Sequence, residues 1–197
     1  MDGLDALSAV LASRNRHKAH ELETLLPGWT VAPLDRDDYP PETGATYYEN
    51  AEIKALFGRE CADGWVLAED SGLEVAALGG RPGVLSARYA PEGAPAVEKL
   101  LAELEGVEQR EARYVCELVL LPPLDSRRLR GTGTLEGRIA HEAAGDEGFG
   151  YDPIFVPAGE ERTVAELGNG WKAQNSHRAR AAQALLRALA AFRATTS

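Results

Sequence analysis

The stretch that most constrains the fold is residues 65–73, where the apolar run Trp-Val-Leu-Ala leads directly into Glu69 and Asp70 before apolar sequence resumes at Leu73. The run is typical of a buried strand, in which unpaired carboxylates would be costly. We therefore expect both acids at the end of the strand, in a cleft and beside a cation or a metal. The alternative is a tight Asp-Ser-Gly turn joining two strands.

A second constrained segment follows at residues 79–83, Gly-Gly-Arg-Pro-Gly. Three glycines and a proline in five residues impose an irregular path that packing alone rarely requires. The next residues, Ser-Ala-Arg-Tyr at 86–89, place Arg88 where it could face an anion. Together the two segments favour a functional site over a simple turn.

Composition narrows the class of protein. With 197 residues and 44% apolar content, the chain suits one domain, or one domain with two lobes. The net charge of −10 argues against binding to nucleic acid or anionic membranes, which its field would repel. Cys61 and Cys116 lie in apolar surroundings and are predicted to be reduced core residues. The acidic first residues and the lack of a membrane-length apolar run favour a cytoplasmic protein.

The first candidate anion site lies between a predicted strand at residues 7–12 and a predicted helix at residues 18–26. The loop between them contains Ser13, Arg14 and Asn15, and Lys18 falls in the first helical turn. A helix N-terminus presents free N–H groups and a positive dipole end to an anion. On equal terms, Ser13 or Asn15 could instead cap the helix and leave the basic residues solvated.

Residues 42–61 combine a second acid with a second helix. Glu42 precedes Thr-Gly, and the Thr46-x-x-Glu49 capping box predicts a helix that begins there and ends near Cys61. Lys54 falls on the same face as Asn50, four residues earlier. The alternative for Lys54 is a solvated surface lysine.

The last part of the chain adds an aromatic loop and a basic helix start. Residues 112–121 and 128–139 predict two paired strands, and residues 95–106 a scaffold helix. Gly148 and Gly150 flank Phe149, whose ring could stack on a base or simply lie in the core. An amphipathic helix over residues 175–192 carries His177 and Arg178 in its first turn, where an anionic or carbonyl-rich ligand would relieve the unfavourable dipole interaction.

These motifs resemble the inosine triphosphate pyrophosphatases, also called Ham1-like or XTP/dITP diphosphatases. The family's Asp-Asp-Ser-Gly-Leu and Gly-Gly-x-Pro-Gly-x-Tyr-Ser-Ala-Arg-Tyr match residues 70–73 and 79–89. Its Thr/Ser-Gly-Asn-x-x-Lys, Glu-Thr-Gly-x-x-x-x-Glu-Asn-Ala-x-x-Lys, Gly-Phe-Gly-Tyr-Asp-Pro-Ile-Phe and Lys-x-x-x-Ser-His-Arg segments match at residues 13–18, 42–54, 148–155 and 172–178. The chain departs from the pattern at Arg14 (Gly in the family), Glu69 (Asp) and Leu85 (Tyr).

The resemblance implies an α/β fold with a long twisted mixed sheet, flanking helices and an active-site cleft between two lobes. It implies hydrolysis of ITP, dITP and XTP to the monophosphate and pyrophosphate, with Mg²⁺ as cofactor, in a homodimer. It implies that Asp70 is catalytic and that Glu42 and Asp70 bind the metal. It assigns phosphate binding to Ser13, Arg14, Asn15, Lys18 and Lys54, and substrate or base binding to Ser71, Arg88, Phe149, Gly150, Tyr151, Asp152, Lys172, His177 and Arg178.

Three alternatives stay open at this point. An all-helical nucleotide pyrophosphohydrolase would run the same reaction, but the strand-like runs argue against its fold. A Maf-like pyrophosphatase of other modified nucleotides would share the general architecture. Finally, Arg14 and Glu69 leave room for a nucleotide sensor that binds without turnover.

Overall fold

The computed structural model of the chain describes residues 7–13, 15–90 and 95–196. In chain order its strands and α-helices are β1 (Leu7–Leu11), α1 (Arg16–Leu25), β2 (Trp29–Pro33), α2 (Tyr47–Cys61), β3 (Trp65–Val75), α3 (Ala96–Glu103), β4 (Glu111–Leu121), β5 (Leu129–Ile139), β6 (Phe155–Pro157), α4 (Val164–Asn175) and α5 (His177–Thr196). Short 3₁₀ helices cover Ala76–Leu78, Gly83–Arg88 and Asp152–Ile154. In this part of the chain, no helix has the length and apolar character that a membrane crossing requires.

The strands form one six-stranded sheet in the order β2-β1-β3-β4-β5-β6. β1 runs parallel to both β2 and β3, whereas β5 and β6 are antiparallel. The sheet is therefore mixed, and the predicted α/β class is confirmed.

Two compact units divide the chain. The first comprises the residues up to Asp70, Cys116–Gly133 and the residues from Arg178 onward, and the second comprises Ser71–Val115 and Thr134–His177. The three strands β3, β4 and β5 each contribute residues to both units.

The first unit packs helices on both faces of its strands. Successive strand side chains point to opposite faces, and β3 shows this directly. Leu67 belongs to a core with residues of α1 and α5, whereas Val66 and Ala68 belong to a core with residues of α2. Helix-derived members of these two cores are Ala19, Leu22, Ala181, Ala182, Leu185 and Leu189 in the first, and Ala51 and Ala55 in the second. A side chain's position along β3 therefore decides which helices it meets.

The second unit has a core of its own. Leu73 and Val75 from the end of β3 pack with Leu100 of α3 and Phe155 of β6. Tyr114 of β4 lies in the same core and is 7% exposed. These apolar contacts fix the strands from which the polar groups of this unit project.

Several expectations need correction. β3 does not end at Ala68 but continues to Val75, so Glu69 and Asp70 lie inside the strand and neither ends it nor forms an Asp-Ser-Gly turn. Tertiary partners occupy the Asp70 side chain, as described below, and it therefore does not support a local turn. Helix α4 was not predicted. Both cysteines were predicted to be core residues, but only Cys116 is buried and Cys61 is exposed.

Candidate active site

Two adjacent carboxylates on β3 lie at the centre of the candidate site. Glu69 is completely buried and Asp70 is 6% exposed. Because they are neighbours on a strand, they project to opposite faces of the sheet. Each therefore has a different set of partners.

Asp70 lies beside helix α2. The Lys54 Nζ atom is 2.8 Å from Asp70 Oδ1 and 2.6 Å from Glu42 Oε1. One turn earlier, the Asn50 amide donates to Asp70 Oδ2 at 3.3 Å. The i,i+4 spacing of Asn50 and Lys54 places both donors on the helix face that meets the carboxylate, so one buried ammonium is shared by two carboxylates.

The segment that carries Glu42 is tied to the same helix. The Thr46 side chain and Glu49 form the predicted capping box at the start of α2. The Gly44 N–H donates to Asn50 Oδ1 at 2.8 Å. A Cβ atom at Gly44 would lie only 2.6 Å from the Glu49 Cβ atom, so this position has room only for glycine. The close contact anchors the chain two residues after Glu42.

Charge and burial act against each other on these groups. Burial raises the pKa of Asp70, the Lys54 ammonium opposes that rise, and the carboxylates of Glu42 and Glu69 add to it; the net shift is upward. Burial lowers the pKa of Lys54, but the neighbouring carboxylates of Asp70 and Glu42 outweigh it and the net shift is also upward. Lys54 therefore stays an ammonium, and the ionised form of Asp70 is less favourable than that of a solvated aspartate.

Glu69 faces helices α1 and α5, on the side of the sheet opposite to α2. Its Oε2 atom is 2.6 Å from Lys18 Nζ, and its Oε1 atom accepts from Arg178 at 2.9 Å. Arg178, 2% exposed, also donates to Glu21 on α1. The Cys116 thiol lies 3.6 Å from Glu69 Oε1, and burial raises its pKa. Two cations and two carboxylates thus form a charge-balanced cluster, in which Glu69 and Arg178 are buried and Lys18 and Glu21 are partly exposed.

The loop before α1 is organised by Asn15. Its Oδ1 atom accepts from the backbone N–H groups of His17 and Lys18, so Asn15 is the helix cap. The alternative that predicted this cap also predicted solvated basic residues, whereas Lys18 is paired with Glu69. Ser13 Oγ in turn accepts from the Asn15 N–H at 3.2 Å. Arg14 lies outside the described residues. The phosphate-binding roles of Ser13, Asn15 and Lys18 stay predictions.

In the second unit, Asp152 organises the aromatic loop, which comprises Phe149 and its flanking glycines Gly148 and Gly150. Its Oδ2 atom accepts from the Phe149 N–H at 2.9 Å and from Lys172 Nζ at 2.8 Å. Lys172 Nζ lies 4.4 Å from the centroid of the Phe149 ring, a cation–π contact. Gly148, with φ +78°, has no room for a side chain, because a Cβ atom would lie 2.3 Å from Asp152 Oδ2.

The remaining predicted residues of this unit have different surroundings. Tyr151 is buried and donates to the Ser86 carbonyl at 3.0 Å. His177, 7% exposed, stacks on Tyr114 with ring centroids 4.6 Å apart. Ser71 is half-buried in β3, whereas Gly150 and Arg88 are exposed, Arg88 at the end of a 3₁₀ helix.

A sequence profile of the Ham1 family matches residues 9–188. The chain belongs to this family. It is 43% identical over 180 residues to a dITP/XTP pyrophosphatase of Gloeobacter violaceus, covering 90% of this chain and 91% of that protein. It is 41% identical over 194 residues to the dITP/XTP pyrophosphatase of Bacillus subtilis, covering 93% and 97% of the two chains.

Solved structures of Ham1 proteins have the same fold. The Staphylococcus aureus Ham1 protein aligns with a TM-score of 0.80 at 37% identity, over 96% of this chain and 100% of that one. A HAM1 protein from Coxiella burnetii aligns with a TM-score of 0.83 at 39% identity, over 94% and 99%. The similarity therefore extends over almost the whole chain in each case.

A Ham1 family chain with this donor set suits a magnesium ion. Glu42 and Asp70 bring two carboxylate oxygens to within hydrogen-bond distance of one ammonium, which shows that both can converge on a single small cation. Mg²⁺ is usually held by one or two carboxylates and completes its octahedron with water and phosphate oxygens. Over the ranges that the structure describes, no cluster of three or more metal-binding side chains was found. The oxygen donors of Glu42 and Asp70 are nevertheless of the kind that Mg²⁺ prefers, so these two residues fit the ion.

Some residues around Glu69 and Asp152 were not predicted from the sequence. Glu21 was not singled out, although it follows Lys18 by three residues and so lies on the same helix face. Tyr114 carried no signal, because its partner Asp152 lies 38 residues further along the chain. Lys54 was expected as a phosphate ligand, and its pairing with Asp70 could not be anticipated from spacing.

Proposed function

We propose that this chain hydrolyses deaminated purine nucleoside triphosphates, namely dITP, XTP and ITP, to the nucleoside monophosphate and pyrophosphate. The observation that carries the proposal is the Glu42–Lys54–Asp70 group, with Lys54 and Asp70 buried and Glu42 half-buried, in a chain about as long as its dITP/XTP pyrophosphatase relatives. Two acids that share a lysine suit a metal-bound polyphosphate. Its proposed role is to remove damaged nucleotides from the nucleotide pool. We propose that it acts in the cytoplasm and as a homodimer.

Asp70 is the proposed catalytic group. Its carboxylate orients the attacking water and accepts its proton, a contribution worth roughly 10²- to 10⁴-fold in rate for a positioned base. Burial raises the pKa of Asp70 and so makes its carboxylate a stronger proton acceptor than a solvated one. Lys54, 2.8 Å away, fixes the orientation of that carboxylate.

The cations supply charge for the triphosphate. Glu42 and Asp70 would hold Mg²⁺, which when bound neutralises phosphate charge and polarises the phosphoryl oxygens. Lys54 and Lys18 lie at the two faces of β3 and stabilise the negative charge of the transferring group by position. Ser13 and Asn15 complete the proposed phosphate side together with Arg14.

Most of the proposed base-binding residues belong to the second unit, and Arg178 is the exception. The Phe149 ring, half-buried and held by Lys172 and Asp152, presents a face on which a purine can stack. Deaminated purines carry a 6-keto oxygen where adenine carries an amine, and a site with donors for that oxygen rejects adenine by leaving the donors unpaired. His177 and Arg178 are the proposed donors, and Ser71, Arg88, Gly150 and Tyr151 the proposed surroundings.

The test is product analysis with ITP, XTP, dITP, GTP and ATP, with Mg²⁺ and with EDTA. We expect IMP or XMP plus pyrophosphate, only with Mg²⁺, and little product from ATP and GTP. Release of inorganic phosphate and a diphosphate instead would contradict α–β cleavage. Tight binding without any product would favour the sensor alternative.

A further inference from the structure

Tyr114 is a buried residue of β4 that no motif of the chain includes. Its side chain lies in the apolar core of the second unit, 7% exposed, with its ring centroid 4.5 Å from that of Phe155. A tyrosine in such a core needs a partner for its hydroxyl group. The partner identifies what the residue does.

The hydroxyl group of Tyr114 donates to Asp152 Oδ1 at 3.3 Å. The other oxygen of the same carboxylate accepts from the Phe149 N–H and from Lys172 Nζ, and Lys172 lies over the Phe149 ring. Tyr114 is therefore the third donor to the carboxylate that holds the aromatic loop. Losing it would allow the Asp152 carboxylate to rotate and the Phe149 backbone to shift.

The ring of Tyr114 has a second contact. It stacks on the imidazole of His177 with an interplanar angle of 11° and centroids 4.6 Å apart. A parallel stack restricts the imidazole to one plane while leaving its nitrogen atoms at the edge. Tyr114 thus touches both Asp152 and His177, which are proposed to act on the base.

We propose that Tyr114 is a positioning residue for binding of the purine base in this chain. Its hydroxyl group orients Asp152 and hence the Phe149–Lys172 pair, and its ring fixes the plane of His177. The proposal rests on the proposed function, because it takes these residues as the base-binding side. It assigns no contact between Tyr114 and the nucleotide.

The two contacts can be removed separately. Tyr114→Phe removes the hydroxyl group and keeps the stack, whereas Tyr114→Leu removes both. Tyr89→Phe is the matched control, since Tyr89 is a buried tyrosine of the same core whose hydroxyl group donates to Glu103 at 2.6 Å. Each variant is studied as the full chain, with its thermal unfolding midpoint measured first.

Binding is measured by calorimetry with two probes in the presence of Mg²⁺. One is ITP with a methylene group between its α and β phosphorus atoms, which resists hydrolysis; the other is inorganic tripolyphosphate, which lacks a base. We expect the Kd of the ITP analogue to rise about 3- to 10-fold in Tyr114→Phe and about 10- to 100-fold in Tyr114→Leu. The Kd of tripolyphosphate should stay within about twofold in both variants, and Tyr89→Phe should change neither.

A purely structural role would weaken both probes together, or lower only the unfolding midpoint, and either outcome overturns the proposal. So does a wild-type chain that binds the analogue no more tightly than tripolyphosphate. Failure of the proposed function is a separate result, namely no pyrophosphate from ITP by the wild type. If that occurs while the base-specific loss persists, Tyr114 still positions a purine site, although the site is not catalytic.

Discussion

Two buried aspartates of this chain each hold a lysine ammonium at 2.8 Å, yet their surroundings differ in kind. Around Asp70, the Asn50 amide donates as well, but two carboxylates share one cation, so acceptors are in excess. Around Asp152, the Phe149 N–H, the Tyr114 hydroxyl group and Lys172 all donate to one carboxylate, so donors are in excess. An acceptor-rich group can take a divalent cation and a proton, whereas a donor-rich group holds a loop in place. In the proposed function, the same ion pair serves chemistry in one unit and positioning in the other.

The largest expected effect comes from neutralising the acceptor-rich site. Asp70→Asn removes the proposed base and one metal ligand, and we expect kcat for ITP to fall by about 10²- to 10⁴-fold. Because burial raises the pKa of Asp70 and Lys54 keeps Glu42 as a partner, the free energy of unfolding should change by less than about 1.5 kcal/mol. Steady-state kinetics and urea unfolding check the two halves. Near-normal turnover would remove Asp70 from the mechanism.

The same substitution in the donor-rich site should have the opposite profile. Asp152→Asn leaves the buried Lys172 ammonium without the carboxylate that it contacts, a change that costs roughly 3–5 kcal/mol when one partner of a buried pair is removed. Urea unfolding measures the loss, with Asp70→Asn as the matched variant. Equal losses in the two variants would break the distinction between the two aspartates.

Two glycines of the aromatic loop refine the positioning role. Gly148→Ala and Gly150→Ala both place a side chain at positive φ, which costs about 1–2 kcal/mol. Only at Gly148 does the new Cβ atom meet the Asp152 carboxylate, since at Gly150 it meets open space. We therefore expect the Gly148 variant to unfold at lower urea concentration than the Gly150 variant. The reverse order would show that Asp152 does not hold the turn.

The smallest expected effect tests whether Glu42 and Asp70 bind a metal ion. Lys54→Gln leaves Glu42 and Asp70 without their shared cation, so millimolar Mg²⁺ should raise the unfolding midpoint by about 2–4 °C, as expected for a stabilisation of roughly 1 kcal/mol. Lys172→Gln is the control, because Asp152 retains two other donors. Thermal scans with and without Mg²⁺ decide the matter. An equal response of both variants would argue against a metal at Glu42 and Asp70.

Local signals in the sequence predicted the elements well where partners lie close along the chain. The Thr46-x-x-Glu49 box predicted the start of α2, and both of its hydrogen bonds are present. Asn15 offered a cap three residues before Lys18, and it is one. Such contacts depend on neighbouring residues only, so spacing is sufficient to predict them.

Long-range pairing could not be predicted in the same way. Asp-Ser-Gly indicated a turn, but the Asp70 carboxylate pairs with Lys54 of α2, and β3 continues. Helix α4 was missed because Gly168, at φ +84°, interrupts its periodicity. The partners of Glu69 come from α1, β4 and α5, a convergence that only the folded sheet creates.

A single-turnover experiment with enzyme in excess over ITP tests most directly whether Asp70 acts in the chemical step and Asp152 in positioning. The rate at saturating enzyme reports the chemical step, and the enzyme concentration at half-saturation reports binding. At saturating Mg²⁺, we expect Asp70→Asn to lower the saturating rate by at least about 100-fold with little change in the half-saturation concentration. We expect Asp152→Asn to raise the half-saturation concentration with little change in the saturating rate. Loss of the same parameter in both variants would contradict the assignment of chemistry to Asp70 and positioning to Asp152.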